Sequence, residues 1–194
     1  MKKKIAVTGG IGSGKSSVLA YLGEMGYPIF SCDEIYREMI DSPQYIERIA
    51  KAFPACITDG KIDRKKLAET VFKDKEKLCI LNEIAHPLIM AQLLKEMEEC
   101  SSNVTFAEVP LLFEGNFENL FDGVIVVVRN KEERIQAIIQ RDGLTAREAT
   151  ERIAAQFDYD ASSNQERLKK CNAIFIQNDG DFSRLKNQLK NLQF

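Results

Sequence analysis

Tryptophan is absent from the 194 residues, and histidine occurs once, as His86. The five cysteines, Cys32, Cys56, Cys79, Cys100 and Cys171, stand more than 20 residues apart and include no CxxC pair. Clustered zinc ligands are therefore missing, and an odd set of scattered thiols reads as reduced cysteine in the cytoplasm. Neither charge dominates: 27 Lys and Arg face 29 Asp and Glu, a net charge of −2. No basic field exists to hold nucleic acid or an anionic membrane, so any anionic ligand must be held locally. Long apolar runs are also missing. The longest strictly aliphatic stretch is Val124–Val128, far short of the ~18–20 residues that cross a bilayer. Only Ile5, Ala6 and Val7 separate the basic start from Thr8, which is too little for a secretion signal. What remains is 44% apolar and 29% charged, the make-up of one globular core with room for a small insert.

Short β-branched runs recur among longer helical patterns, at Lys4–Thr8, Pro28–Ser31, Val104–Val109, Val124–Val128 and Ala173–Gln177. Strands separated by helices imply a parallel sheet of about five strands. The runs at 124–128 and 173–177 show little polar alternation, which places both in or near the sheet centre. Between the second and third runs the residues carry helical patterns at roughly 33–52, 64–84 and 87–99 and no strand signal, an inserted helical lobe. Asp59-Gly60 marks a turn within it, and Pro43, Pro54 and Pro87 mark helix starts or breaks. Two further helices, Lys131–Gln140 and Thr145–Phe157, meet at Asp142-Gly143, and Thr145 with Glu148 has capping-box spacing. Asp158–Gln165, rich in Asp, Ser and Asn, reads as a mobile loop.

Gly9–Ser16 satisfies GxxxxGK[ST] between a strand-like run and the amphipathic stretch Ser16–Met25, the context this phosphate loop requires. Gly9, Gly12 and Gly14 let the chain turn tightly and aim backbone N–H groups inward. Ser13 lies within the loop, Lys15 brings an ammonium to the β- and γ-phosphates, Ser16 suits Mg²⁺, and Ser17 lies near the α-phosphate. A dinucleotide GxGxxG fails because Lys15 stands where the third glycine is needed.

Phosphoryl transferases and nucleotide-dependent regulatory modules share this loop. A GTP-dependent switch would carry DxxG, and no Asp here has Gly three places later. A kinase needs a carboxylate to orient an acceptor hydroxyl and arginines to meet charge on the transferred group. Asp33, following the second strand, emerges at the ligand-binding edge of a parallel sheet. The competing reading is a capping box between Ser31 and Glu34, with Asp33 favouring the positive helix end. Arg134 and Arg141 share a helix face seven residues apart, and Arg141 suits a lid. Arg147 with Glu151, and Glu148 with Arg152, have the i,i+4 spacing of a solvated ion-paired face. Glu108 ends the third strand, where an acid can hold Mg²⁺ through water. His86 by spacing alone reads as a packed histidine.

Taken together, Thr8–Ser16, Ser31-Cys-Asp33, Asp59–Arg64, His86-Pro87, Val109–Glu114, Arg141-Asp-Gly143 and Asn178-Asp-Gly180 resemble the dephospho-CoA kinase family in order and approximate spacing over nearly the whole chain. The resemblance implies an α/β fold, a three-layer P-loop NTPase or nucleoside-kinase-like parallel sheet with a helical acceptor-binding insert and a helical lid. The implied core is 1–33, 101–130 and 158–194, the acceptor lobe 34–100 and the lid 131–157. The implied activity is ATP-dependent phosphorylation of the ribose 3′-hydroxyl of dephospho-CoA, with Mg²⁺, and no obligate protein partner. Asp33 becomes the acceptor-side carboxylate and Arg141 the lid arginine, while Arg64, His86, Leu111, Leu112 and Glu114 line or support the acceptor site. Another small-metabolite or nucleoside monophosphate kinase is the runner-up. This chain departs from the pattern in three places. Arg134 and Ala137 replace a glutamine and an arginine on the first lid helix, 156–167 is longer than usual, and Cys171-Asn172 stands for Ala-Asp.

Overall fold

The computed structural model describes residues 2–192. In chain order the elements are β1 (Lys3–Thr8), α1 (Lys15–Glu24), β2 (Ile29–Ser31), α2 (Cys32–Met39), α3 (Pro43–Ala52), β3 (Ile57–Thr58), β4 (Lys61–Ile62), α4 (Arg64–Val71), α5 (Lys75–Glu99), β5 (Val104–Glu108), β6 (Gly123–Val128), α6 (Lys131–Asp142), α7 (Ala146–Ala154), α8 (Gln165–Lys170), β7 (Ala173–Gln177) and α9 (Phe182–Lys190). They form two compact units, one made from the chain up to Phe30 and from Cys100 onward, the other from Ser31–Glu99.

The sheet runs in the order β2-β5-β1-β6-β7, with β1 parallel to β5 and β6, and β6 parallel to β7. The chain winds to one side after β1 and crosses to the other after β5, so the strand order reverses at the carboxyl end of β1, where open α/β sheets bind ligands. Alternation along β1 sends Ile5 and Val7 to one face, where Val18, Leu22, Ile125, Ile176, Leu185 and Leu189 close a buried cluster with α1 and α9. A fully buried Leu or Ile contributes about 1.5–3 kcal/mol. The cluster thereby fixes α1 against the sheet, and with it the direction in which the N-terminus of α1 points.

The run at 173–177 does not lie in the sheet centre: β7 is an edge strand, with Ile174 40% and Phe175 44% exposed. Its apolar character reflects partial cover from α8 and α9 rather than burial on both faces. At the strand's end the Gln188 side chain takes the place of a neighbouring strand. Its Oε1 accepts from Gln177 N at 2.9 Å and its Nε2 donates to Gln177 O at 2.8 Å.

In the second unit α5 packs against α2, α3 and α4. Ser42 caps α3, its side chain accepting from Tyr45 N ahead of Pro43, and Asp63 caps α4 through Lys66 N. The segment expected to lack strands contains the antiparallel pair β3–β4, its turn made by Asp59 and Gly60, both at positive φ. Two residues per strand are too few to leave an alternation pattern. Pro87, expected to separate two helices, lies inside α5. Ala85, Ile89, Leu93 and Met97 recur every fourth residue and are buried. Their burial outweighs the roughly 3 kcal/mol that proline costs within a helix.

Asp158–Gln165 is not an open loop. Asp158 Oδ1 accepts from Asp160 N (2.9 Å) and Ala161 N (3.2 Å), Asn164 Nδ2 donates to Asp158 O (2.8 Å), and Gln165 Nε2 donates to Tyr159 O (3.0 Å). The polar side chains that suggested looseness supply the local bonds that fix a turn, and α8 follows at once.

Candidate active site

The loop after β1 owes its shape to glycine. Gly14 caps α1 at φ 84°, and a Cβ there would strike Asn178 Nδ2. Gly12, at φ 76°, passes so close to α6 that a Cβ would lie 2.7 Å from Arg134 O. A side chain at either position would meet both backbone strain and a collision. The N–H groups of Gly12, Gly14, Lys15 and Ser16 take no backbone partner among the described residues, whereas Ser17 N donates to Gly14 O at 3.0 Å. Unpaired donors at a helix N-terminus form an anion site. Ser13 serves the loop's floor: its N–H donates to Gly10 O at 3.1 Å, and its hydroxyl is buried without a partner.

Lys15 folds back over this loop, its Nζ donating to Gly9 O (2.8 Å) and Gly10 O (3.3 Å). Burial holds its pKa below the usual lysine range. Glu108 opposes that shift, Arg134 and Arg141 add to it, and Glu114 opposes it. Three cations and two carboxylates thus share one field, in which added negative charge is favoured. Ser16 is exposed in the first turn of α1 and Glu108 ends β5.

Side chains from distant parts of the same unit hold the loop. The Ile11 peptide is gripped from both sides, with Arg134 Nε donating to Ile11 O at 2.9 Å and Ile11 N donating to Gln156 Oε1 at 2.6 Å. Asn178 Nδ2 donates to Ser13 O at 2.9 Å, and Tyr159 OH lies 3.5 Å from Thr8 Oγ1. Burial pushes the Tyr159 phenol up to about 12, so it stays protonated at any working pH. The turn after β5 joins the same assembly, because Glu114 Oε1 accepts from Phe157 N at 2.9 Å and Phe113 stacks on Phe157 with centroids 4.5 Å apart. Arg167 lies 5.5 Å from both ring centroids, donates from Nη2 to Phe113 O at 2.9 Å, and pairs with the buried Glu118 at 2.6 Å.

The dephospho-CoA kinase family model matches residues 3–184. The chain belongs to the dephospho-CoA kinase family. A dephospho-CoA kinase of Fusobacterium nucleatum is 38% identical over 90% of this chain and 89% of its own, and one of Thermus thermophilus is 33% identical over 96% and 88%. Among solved structures, a Thermus thermophilus protein superposes with a TM-score of 0.78 at 32% identity, covering 97% of this chain and 95% of its own. The dephospho-CoA kinase of Campylobacter jejuni gives 0.67 at 33% identity, with coverages of 98% and 96%. A shikimate kinase of Acinetobacter baumannii, at 16% identity and a TM-score of 0.54, shares the P-loop kinase fold. Members of the family are kinases that transfer phosphate to an alcohol group, and this chain is such an enzyme.

Within the family pattern, the first unit brings together Gly9, Gly12, Ser13, Gly14, Lys15, Ser16, Ser17, Glu108 and Glu114. Arg141 takes part through its charge on Lys15, while its guanidinium is paired with Asp142 at 2.7 and 3.0 Å. Leu112 is fully buried and its carbonyl accepts from Phe117 N, whereas Leu111 is exposed. The other three acceptor-side candidates lie in the second unit. Asp33 is exposed in the first turn of α2, Arg64 opens α4 and pairs with Asp41 at 3.0 Å, and His86 is half-buried on α5, where burial lowers its pKa. The capping box that would have explained Asp33's neighbourhood does not form, since Ser31 makes no side-chain cap bond. Thr145 and Glu148 do form one, and Arg152 turns instead to Asp142 at 3.6 Å. Sequence reasoning did not assign site roles to Arg134, Gln156, Tyr159 and Asn178. The signal for Asn178 was available: it follows the last strand at the sheet edge that singled out Asp33.

Proposed function

We propose that the chain transfers the terminal phosphoryl group of ATP to the ribose 3′-hydroxyl of dephospho-CoA, giving CoA and ADP. The observation that carries this reading is the glycine loop after β1, with unpaired N–H groups and Lys15 converging at the switch point of the sheet in a chain of this family. Gly9, Gly12, Ser13 and Gly14 shape the cradle, Lys15 meets the β- and γ-phosphates, and Ser17 lies toward the α-phosphate. Arg141, released from Asp142, completes the charge around the transferred group.

Among the described residues no three His, Cys, Asp or Glu side chains cluster to hold a metal. The Ser16 hydroxyl and the Glu108 carboxylate are the hard oxygen donors that suit Mg²⁺ arriving with a nucleotide, Ser16 directly and Glu108 through water. Bound there, Mg²⁺ would neutralise charge on the β- and γ-phosphates.

Asp33, two residues beyond β2, accepts the proton of the 3′-hydroxyl as that oxygen bonds to the γ-phosphorus and the bond to the β-phosphate oxygen breaks. Arg64, His86, Leu111 and Glu114 contact the acceptor, and the buried Leu112 supports them. Purified protein given Mg·ATP and dephospho-CoA should release ADP and CoA in equal amounts. Failure to do so, or a higher kcat/KM on a nucleoside monophosphate, would remove this assignment. Asp33→Asn should lower kcat by about 10²–10⁴ while ATP affinity stays within about threefold; unchanged turnover would refute the role of Asp33.

A further inference from the structure

We propose that Arg134 contacts the terminal phosphoryl group of the nucleotide, laying its guanidinium over Gly10 beside the Lys15 ammonium. This rests on the function proposed above and adds a catalytic residue to it. Arg134 lies in the first turn of α6 and is half-buried. Its one side-chain hydrogen bond among the described residues runs from Nε to Ile11 O. The bond pins the planar fork at its root and leaves the four N–H groups of Nη1 and Nη2 without a protein acceptor. These terminal nitrogens lie against Gly10, for a Cβ added there would run into Nη2 and come within 2.7 Å of Cζ.

Among the described residues no carboxylate pairs with the guanidinium; Tyr159 and Asp160 only offset part of the burial that disfavours the cation. Arg134 also makes Lys15 harder to protonate. Two partly buried cations beside one loop, with Glu108 and Glu114 offsetting only part of the burial that disfavours the Lys15 ammonium, make sense as halves of a polyanion site. The same residue locates both, since Lys15 Nζ donates to Gly10 O at 3.3 Å. Gly10 comes two residues after β1, on the strand side of the loop in sequence, and its carbonyl also accepts from Ser13 N at 3.1 Å. A lysine at the seventh place of such a loop reaches the β- and γ-phosphates, so a second cation at Gly10 flanks the outermost one. A guanidinium suits that position because two parallel N–H groups can meet two phosphate oxygens.

ATP and ADP affinities, measured calorimetrically without acceptor, separate a phosphate contact from a brace on the loop. Arg134→Met keeps the aliphatic stem and should weaken ATP at least tenfold while ADP stays within about threefold. Its kcat should fall at least a hundredfold, with little change in KM for dephospho-CoA. Gln156→Leu removes only the other half of the Ile11 grip and should affect ATP and ADP alike. If Arg134→Met fails to fold, Arg134→Lys carries the test, retaining a cation without the fork and losing ATP preference by a smaller factor. Parallel loss of ATP and ADP in the arginine variants, or kcat within threefold of wild type, overturns the proposal. The binding measurement needs no acceptor, so a wild type that refuses dephospho-CoA would overturn the function above while the ATP-to-ADP ratio still decides Arg134.

Discussion

Replacing Arg167 by Met should cost about 3–5 kcal/mol, the usual penalty for leaving a buried charge without its partner. Both Nε and Nη2 of Arg167 approach Glu118 Oε1, at 2.8 and 2.6 Å, while Oε2 is buried with no partner. The carboxylate side chain is 7% exposed and the guanidinium 33%, so the carboxylate depends on the arginine more than the reverse. Glu118→Leu should therefore cost less, about 1–3 kcal/mol, since Arg167 keeps the Phe113 carbonyl, two aromatic faces and contact with water. With both replaced, no charge is stranded, and the pair should be less damaging than Arg167→Met alone. The assay is urea unfolding of the four proteins at neutral pH, comparing midpoints where the slope is unchanged. Salt should alter the result little, because a buried pair is weakly screened. If the two losses add within about 0.5 kcal/mol, the pair is not coupled and this account of the turn carrying Glu114 fails.

Burial holds Lys15 below the ordinary lysine value of 10.5. The folded state therefore carries a penalty that is complete below the depressed value and fades as pH climbs toward 10.5. Melting of nucleotide-free protein from about pH 7 to 10 should show Lys15→Met losing ground to wild type as pH rises, and a gap independent of pH would contradict it. Pro87→Ala restores an N–H inside α5 and should add about 1–3 kcal/mol to unfolding stability; destabilisation would mean that the helix is built around the ring. Ser16→Ala should raise the Mg²⁺ concentration for half-maximal turnover roughly tenfold, and an unchanged magnesium titration would exclude Ser16 as a ligand.

Features whose cause is local were legible in the sequence. The phosphate loop needs glycines and a lysine at fixed spacing, and the five sheet strands are runs of branched side chains, so both could be located before any coordinates. The Thr145–Glu148 box and the Asp59-Gly60 turn likewise depend on neighbours a few residues away. Where the deciding partner is remote, the pattern was silent or misleading. Pro87 breaks helices by its own chemistry, but burial along one face of α5 overrules it. The polar stretch after Phe157 makes its own local turn, but what ties it to the sheet is Tyr159 OH beside Thr8 Oγ1, 151 positions away, a contact no periodicity announces. The grip on Ile11 joins residues more than 120 positions apart, and nothing in the spacing of Arg134 or Gln156 indicated that they meet.

A sheet that ends in an unpaired strand invites other chains to extend it. At Gln177 the invitation is withdrawn, because the Gln188 amide fills the donor and acceptor positions that an incoming backbone would need. Ile174 and Phe175 leave this margin adhesive, yet a foreign segment seeking register there must first evict a side chain tethered by α9. The helix that seals one face of the core thus also acts as a stopper against runaway self-association along the sheet.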